Sequence, residues 1–85
     1  MSTEKRAILQ LSQLRKEKQV NIEKSKKELL QIQEFIKESR DDQEFTKILD
    51  NRKQEIKLNI KFEKTLSKSI LSMIQKLEKS IIQRN

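Results

Sequence analysis

Lysine, arginine and carboxylate side chains are the only charged groups this sequence offers to chemistry, because it has no His, Cys, Tyr or Trp. That removes the thiol nucleophile, the imidazole that accepts a proton near neutral pH, and the soft metal ligands. A loop that cradles phosphate through backbone N–H groups needs glycine, and the chain has none. Asp41, Asp42 and Glu44 form one short acidic cluster. A hard cation needs more oxygens than three neighbouring carboxylates on a helix start can supply. The cluster is better read as the opening turn of a helix. No catalytic residue, no metal ligand and no cofactor is expected, and the function classes left are those of a binding or structural protein.

The lysines do carry a pattern. Lys53, Lys57, Lys61, Lys64 and Lys68 follow one another at steps of 4, 4, 3 and 4, which keeps five ammonium groups on one side of a helix. Such a ridge either solubilises a surface or contacts an acidic partner. Arginine is nearly absent from it and no aromatic interleaves it. Base stacking and bidentate base reading are therefore disfavoured, and phosphate contact is what remains.

Beside the ridge runs an apolar stripe on the same helix: Phe45, Leu49, Ile56, Ile60, Ile70, Ile74, Leu77 and Ile81. Ile56, Leu58, Ile60 and Phe62 alternate with polar residues like a strand, but no second alternating run could pair with them, so a helix is expected there too, with Leu58 and Phe62 on a different face from Ile56 and Ile60. The apolar arc widens towards the end of the chain. Leu66, Ile70, Leu71, Met73, Ile74, Leu77, Ile81 and Ile82 crowd into one short segment. An arc that wide exceeds what one neighbouring helix covers. These eight residues, joined by Ile8 and Leu11 from the start of the chain, are the expected protein interface.

The elements that position these residues are two long helices. The first is expected over about residues 3–38, capped by Thr3, with Ala7, Ile8, Leu11 and Leu14 and then Leu29, Ile32, Phe35 and Ile36 on its apolar face. Its centre is weak, with Arg15, Lys18 and Ser25 where core residues belong. A break near Asn21 or Ser25 would give three helices. Since no Gly or Pro marks such a break, one helix is preferred. Ser39, Asp41 and Asp42 compete with helical hydrogen bonding and mark a corner at about 39–41. Asp41 with Glu44 has capping-box spacing. The second helix is expected from about 42 to 83.

A short corner makes the helices antiparallel neighbours, and facing positions then sum to a near-constant of about 81. That register pairs Ile36 with Phe45, Ile32 with Leu49, Leu29 with Arg52, Ser25 with Ile56, Leu11 with Ile70 and Ile8 with Met73. It also sets Lys18 opposite Glu63, each the odd charge on its own stripe.

The 85 residues fit a single all-α domain, an antiparallel, coiled-coil-like hairpin assembled into a helical bundle. Charged residues make up 39% and the net charge is +7. The sustained helical period argues against the disorder that such a composition otherwise signals. The start of the chain leads into no long apolar run, and no stretch approaches a membrane span. The absence of cysteine and of a signal-like segment fits an intracellular protein. The expected function is a non-catalytic helical adaptor, assembly subunit or small regulator that presents an apolar face to a protein partner or to a second copy. The alternative is a basic protein that contacts nucleic-acid phosphates through the lysine ridge. A membrane surface ranks last, because the boundary aromatics of surface-lying helices are sparse.

Overall fold

The computed structural model describes residues 2–84 as two helices, α1 (Thr3–Glu38) and α2 (Gln43–Arg84), packed against each other. No strand occurs among the described residues. The molecule is a rod of 66 × 15 × 13 Å. Its length is that of α2 alone, whose 42 residues rise about 1.5 Å each. α1 runs unbroken through its weak centre. Residues of good helix propensity fill it, a Glu23–Lys26 pair at 3.7 Å braces it, and nothing there terminates a helix.

Local side-chain hydrogen bonds fix the ends. α1 is capped by Ser2, not Thr3: the Ser2 hydroxyl accepts the Lys5 N–H at 3.2 Å. At the corner, Ser39 donates both its N–H and its hydroxyl to the Phe35 carbonyl, at 2.9 and 2.7 Å. The Ser39 carbonyl in turn accepts the Asp42 N–H at 3.0 Å and the Thr46 hydroxyl at 2.8 Å. These bonds close the turn with every φ negative, which is how a glycine-free chain reverses direction. The cap of α2 lies one residue beyond the expected capping box. Asp42, not Asp41, accepts the Phe45 N–H at 3.1 Å, while Glu44 occupies the first turn, where its charge suits the positive helix end.

The inner face follows a seven-residue repeat with steps of 3 and 4. Lettering each repeat a to g, with a and d inward, places Ile8, Leu11, Arg15, Lys18, Ile22, Ser25, Leu29, Ile32 and Ile36 of α1 on the seam. Leu49, Lys53, Ile56, Ile60, Glu63, Ser67, Ile70, Ile74, Leu77 and Ile81 of α2 face them. All of these are buried or half-buried. Ile22 and Ile56, each 2% exposed, are the most deeply buried apolar side chains. Ile22 therefore fills the centre of α1 that the sequence reading left thin.

Three expected pairings shift by one position. Phe45 and Met73 are exposed, and Thr46 and Ile74 take the inward places level with Ile36 and Ile8. Arg52 points outward to Glu28, and Lys53 lies level with Leu29. The physical reason is the narrowness of a two-helix seam. One neighbour covers only a and d, so a large side chain one step away is left in solvent. The same rule exposes Leu14 and Phe35, which the sequence reading put on the covered face of α1. It also resolves the strand-like run: Ile56 and Ile60 face the seam, whereas Leu58 and Phe62 are exposed.

Candidate interaction faces

The middle of the seam is polar. Lys18 Nζ lies 3.5 Å from Glu63 Oε2, with the two side chains 24% and 13% exposed. One layer away, Gln19 Nε2 donates to the Ser67 hydroxyl at 3.3 Å, and Ser67 is buried. Arg15 lies level with Ser67, and its Nε is buried without a hydrogen-bond partner. Glu63 Oε2 likewise accepts no well-formed hydrogen bond, so its link to Lys18 is an ion pair through charge alone. Two successive layers without an apolar side chain, in a seam whose other layers each hold at least one, favour one register. Sliding one helix by a heptad would set Lys18 against Ile56 or Ile70 and strand both charges.

Two flanks run along the seam, and they differ. In an antiparallel pair the g positions of both helices adjoin on one side and the e positions on the other. The Glu28–Arg52 pair, 2.8 Å apart and further tied by Arg52 Nε at 3.1 Å, marks the g side and fixes its register. The hydrogen bonds to Glu28 and then to Glu55 raise the Arg52 pKa, so this guanidinium stays charged at every accessible pH. Stepping by heptads from that pair brings other residues level. Phe35 meets Phe45 near the corner, Asn21 meets Asn59, Leu14 meets Leu66, and Ala7 meets Met73. Ile48 and Phe62 stand next to this row on α2. Phe35 is 51% exposed, Phe45 45%, Ile48 64% and Phe62 60%. Charges on this side nearly balance: Glu17, Glu28, Glu38 and Glu55 against Lys24, Arg52 and Lys76.

The e side is basic. Lys57, Lys61, Lys64 and Lys68 are all exposed on α2, and Lys16, Lys26 and Lys37 are exposed on α1. Lys26 and Lys57 stand level across the seam, like charge facing like. Glu23, Asp50 and Glu78 are the acids on this side. An open groove of about 550 Å³ lies here, lined by Ser12, Arg15, Lys16, Gln19, Leu71 and Ile74 among others.

The residues singled out from sequence are thus divided. Of the expected interface, Ile70 and Ile74 are buried against α1, and Ile8, Leu11, Leu77 and Ile81 are half-buried at seam positions. They hold the hairpin together. Leu66 and Leu71 are half-buried, one on each flank, and Met73 and Ile82 are exposed. The ridge loses Lys53, which is half-buried on the seam, and keeps its other four lysines. Sequence reasoning set Phe62 apart from the face of Ile56 and Ile60, as observed, but missed Leu14, Phe35, Phe45 and Ile48 as surface residues. The signal that finds them is a strict heptad count, which puts each of them one or two places outside a and d.

Among the described residues no helix is long and apolar enough to cross a membrane, and no cluster of three acids could hold a metal ion. No protein-family model, no curated protein and no solved structure matches the chain.

Proposed function

We propose that this hairpin is a non-catalytic interaction module, an adaptor or assembly subunit that docks a helical protein partner along its near-neutral flank. One observation carries the reading. Phe35, Phe45, Ile48 and Phe62, with Leu14 and Met73, leave large apolar surfaces in solvent on the same side of the rod. Single exposed apolar residues are ordinary, but a row of them along one flank is typical of a binding surface. Its composition fits as well, since aromatic and methionine side chains are enriched at the cores of interfaces and lysine is depleted. The seam supplies a rigid base, because residues on two packed helices hold their positions better than residues on loops.

A second reading has its own observation. Lys57, Lys61, Lys64 and Lys68 are exposed and make no ion pair among the described residues, and Lys26 adds to the same field across the seam. That surface suits the phosphates of nucleic acid, met as point charges without sequence reading.

The two readings separate by photo-crosslinking. A photoreactive residue is placed at Phe62 in one protein and at Lys61 in another. These neighbours in sequence sit on opposite flanks. The expected result is crosslinking to protein from position 62 that persists at high salt. Crosslinking from position 61 alone, abolished by salt or nuclease, would replace this reading with the phosphate-binding one.

A further inference from the structure

We infer that the occupant of the near-neutral flank is a second copy of this chain, aligned with its corner at the same end, so that two hairpins close into a four-helix bundle. The inference rests on the interaction-module reading above and names its partner. The observation behind it is the order of residues along the flank. Within one hairpin, Glu28 and Arg52 stand at the same height, 2.8 Å apart. The heptad places Phe35 with Phe45, Asn21 with Asn59, and Leu14 with Leu66 at equal heights too.

A two-fold axis along the rod sets α1 of each copy against α2 of the other. Each height then meets its own complement. Glu28 faces Arg52 of the second copy, so four charges of alternating sign form a square. Phenylalanine meets phenylalanine, leucine meets leucine, and asparagine meets asparagine. Every pair of neighbouring helices is antiparallel. Packing the copies end for end brings α1 against α1, where Glu28 can never meet Arg52. Charge complementarity therefore selects the corner-to-corner arrangement.

The charge of the molecule permits the contact. The net +7 would oppose self-association if spread evenly. Most of the excess lies on the other flank, with Lys57, Lys61, Lys64 and Lys68, and in this bundle those side chains point away from the axis. The size is adequate as well. A flank of a rod 66 Å long and 15 Å wide offers on the order of 1,000 Å² per copy, against about 800 Å² per partner in a standard stable interface. The asparagine level serves as a register mark, as a polar layer does in coiled coils.

Sedimentation equilibrium tests this with a complementary pair of charge reversals. The wild-type mass is expected to rise with concentration from 10.2 kDa towards twice that value. Glu28→Arg puts like charges together twice in its dimer, and so does Arg52→Glu, so each alone associates about tenfold or more weakly. An equimolar mixture of the two variants pairs opposite charges at both places and recovers dimer. Mixing cannot repair the broken pair within either hairpin, so recovery reads the interface and not folding, with helicity checked by circular dichroism. A wild type that stays at 10.2 kDa at the highest attainable concentration overturns the inference. So does a mixture no better associated than its components.

Alignment is read by cysteine crosslinks in this cysteine-free chain. Asn21→Cys mixed with Asn59→Cys forms an intermolecular disulfide, whereas disulfide formation by Asn21→Cys alone overturns the corner-to-corner arrangement. A monomeric wild type whose position 62 still crosslinks to other proteins removes the second copy and leaves the interaction module. Absence of crosslinks from position 62 removes the module itself.

Discussion

The two flanks of this hairpin are built from the same helices on either side of one seam, yet they have become opposite surfaces. One carries Phe35, Phe45, Leu14, Leu66 and Met73 on nearly balanced charge. The other carries Lys57, Lys61, Lys64 and Lys68, with few acids to offset them. The difference teaches that net charge is a poor guide to what a coiled hairpin binds. A seven-residue repeat assigns every residue to seam, flank or back, so a chain at +7 can keep one face neutral by collecting its excess lysines on another. Under the function proposed above, the neutral face would be the one to dock and the basic face would keep such an assembly in solution.

The largest expected effect comes from removing what both flanks share. Ile56, 2% exposed on the seam, packs the two helices against each other. Ile56→Ala should destabilise the hairpin by about 2–5 kcal/mol, and thermal unfolding followed by helicity should show both helices melting together. Loss of one helix with the other intact would mean that the flanks do not depend on a common seam.

Next in size is a break on the neutral flank alone. Phe45→Glu changes an exposed side chain, so the isolated hairpin should keep its stability within about 0.5 kcal/mol. Association should weaken by at least about tenfold, because the charge must be desolvated in the interface. Concentration-dependent mass and a melting curve measure the two effects separately. A variant that associates like the wild type would show that the flank is an idle surface.

The seam's ion pair should give a smaller effect. Lys18 and Glu63 are partly shielded from solvent, and their coupling in a double-mutant cycle with Lys18→Ala and Glu63→Ala should be about 1 kcal/mol. Glu63→Ala should cost more than Lys18→Ala, since it strands Lys18 one layer from Arg15, whose buried Nε already has no hydrogen-bond partner. The reverse order would mean that Glu63, left without Lys18, is the costlier charge to strand on the seam.

The smallest effect is expected on the basic flank. Lys57→Glu with Lys61→Glu and Lys64→Glu should leave helicity intact and change association by less than about threefold, because these side chains make no ion pair among the described residues. A collapse of association in this triple variant would move the docking face to the lysines.

Much of the fold was legible in the sequence for reasons that are physical and local. Ser39, Asp41 and Asp42 announce a corner because their short side chains hydrogen-bond the backbone, and the absence of Gly and Pro elsewhere leaves both helices unbroken. The position of the corner gave the register, and the odd charges Lys18 and Glu63 supported it, since each is costly on a seam without the other. The division between seam and flank was not legible by the same route. Phe45, Phe35, Leu14 and Met73 are large and apolar, so reading by side-chain size put them inside. Arg15, Lys53 and Ser67 are polar, so they blurred the repeat that would have put them outside. Only the strict alternation of 3 and 4 steps, counted through polar and apolar residues alike, separates the two groups. The cap of α2 was missed by one residue because Asp41 and Asp42 carry the same chemistry, and backbone geometry chooses between them.

The salt dependence of assembly decides most directly between the two flanks. Average molar mass is followed at one protein concentration while the salt is raised from low to high. An interface of Phe35, Phe45, Leu14 and Leu66 should hold its mass or gain it, because salt screens the residual repulsion of two positive hairpins and leaves apolar burial in place. A mass that falls steadily back to 10.2 kDa as salt rises would mean that charge and not the apolar flank holds the assembly together.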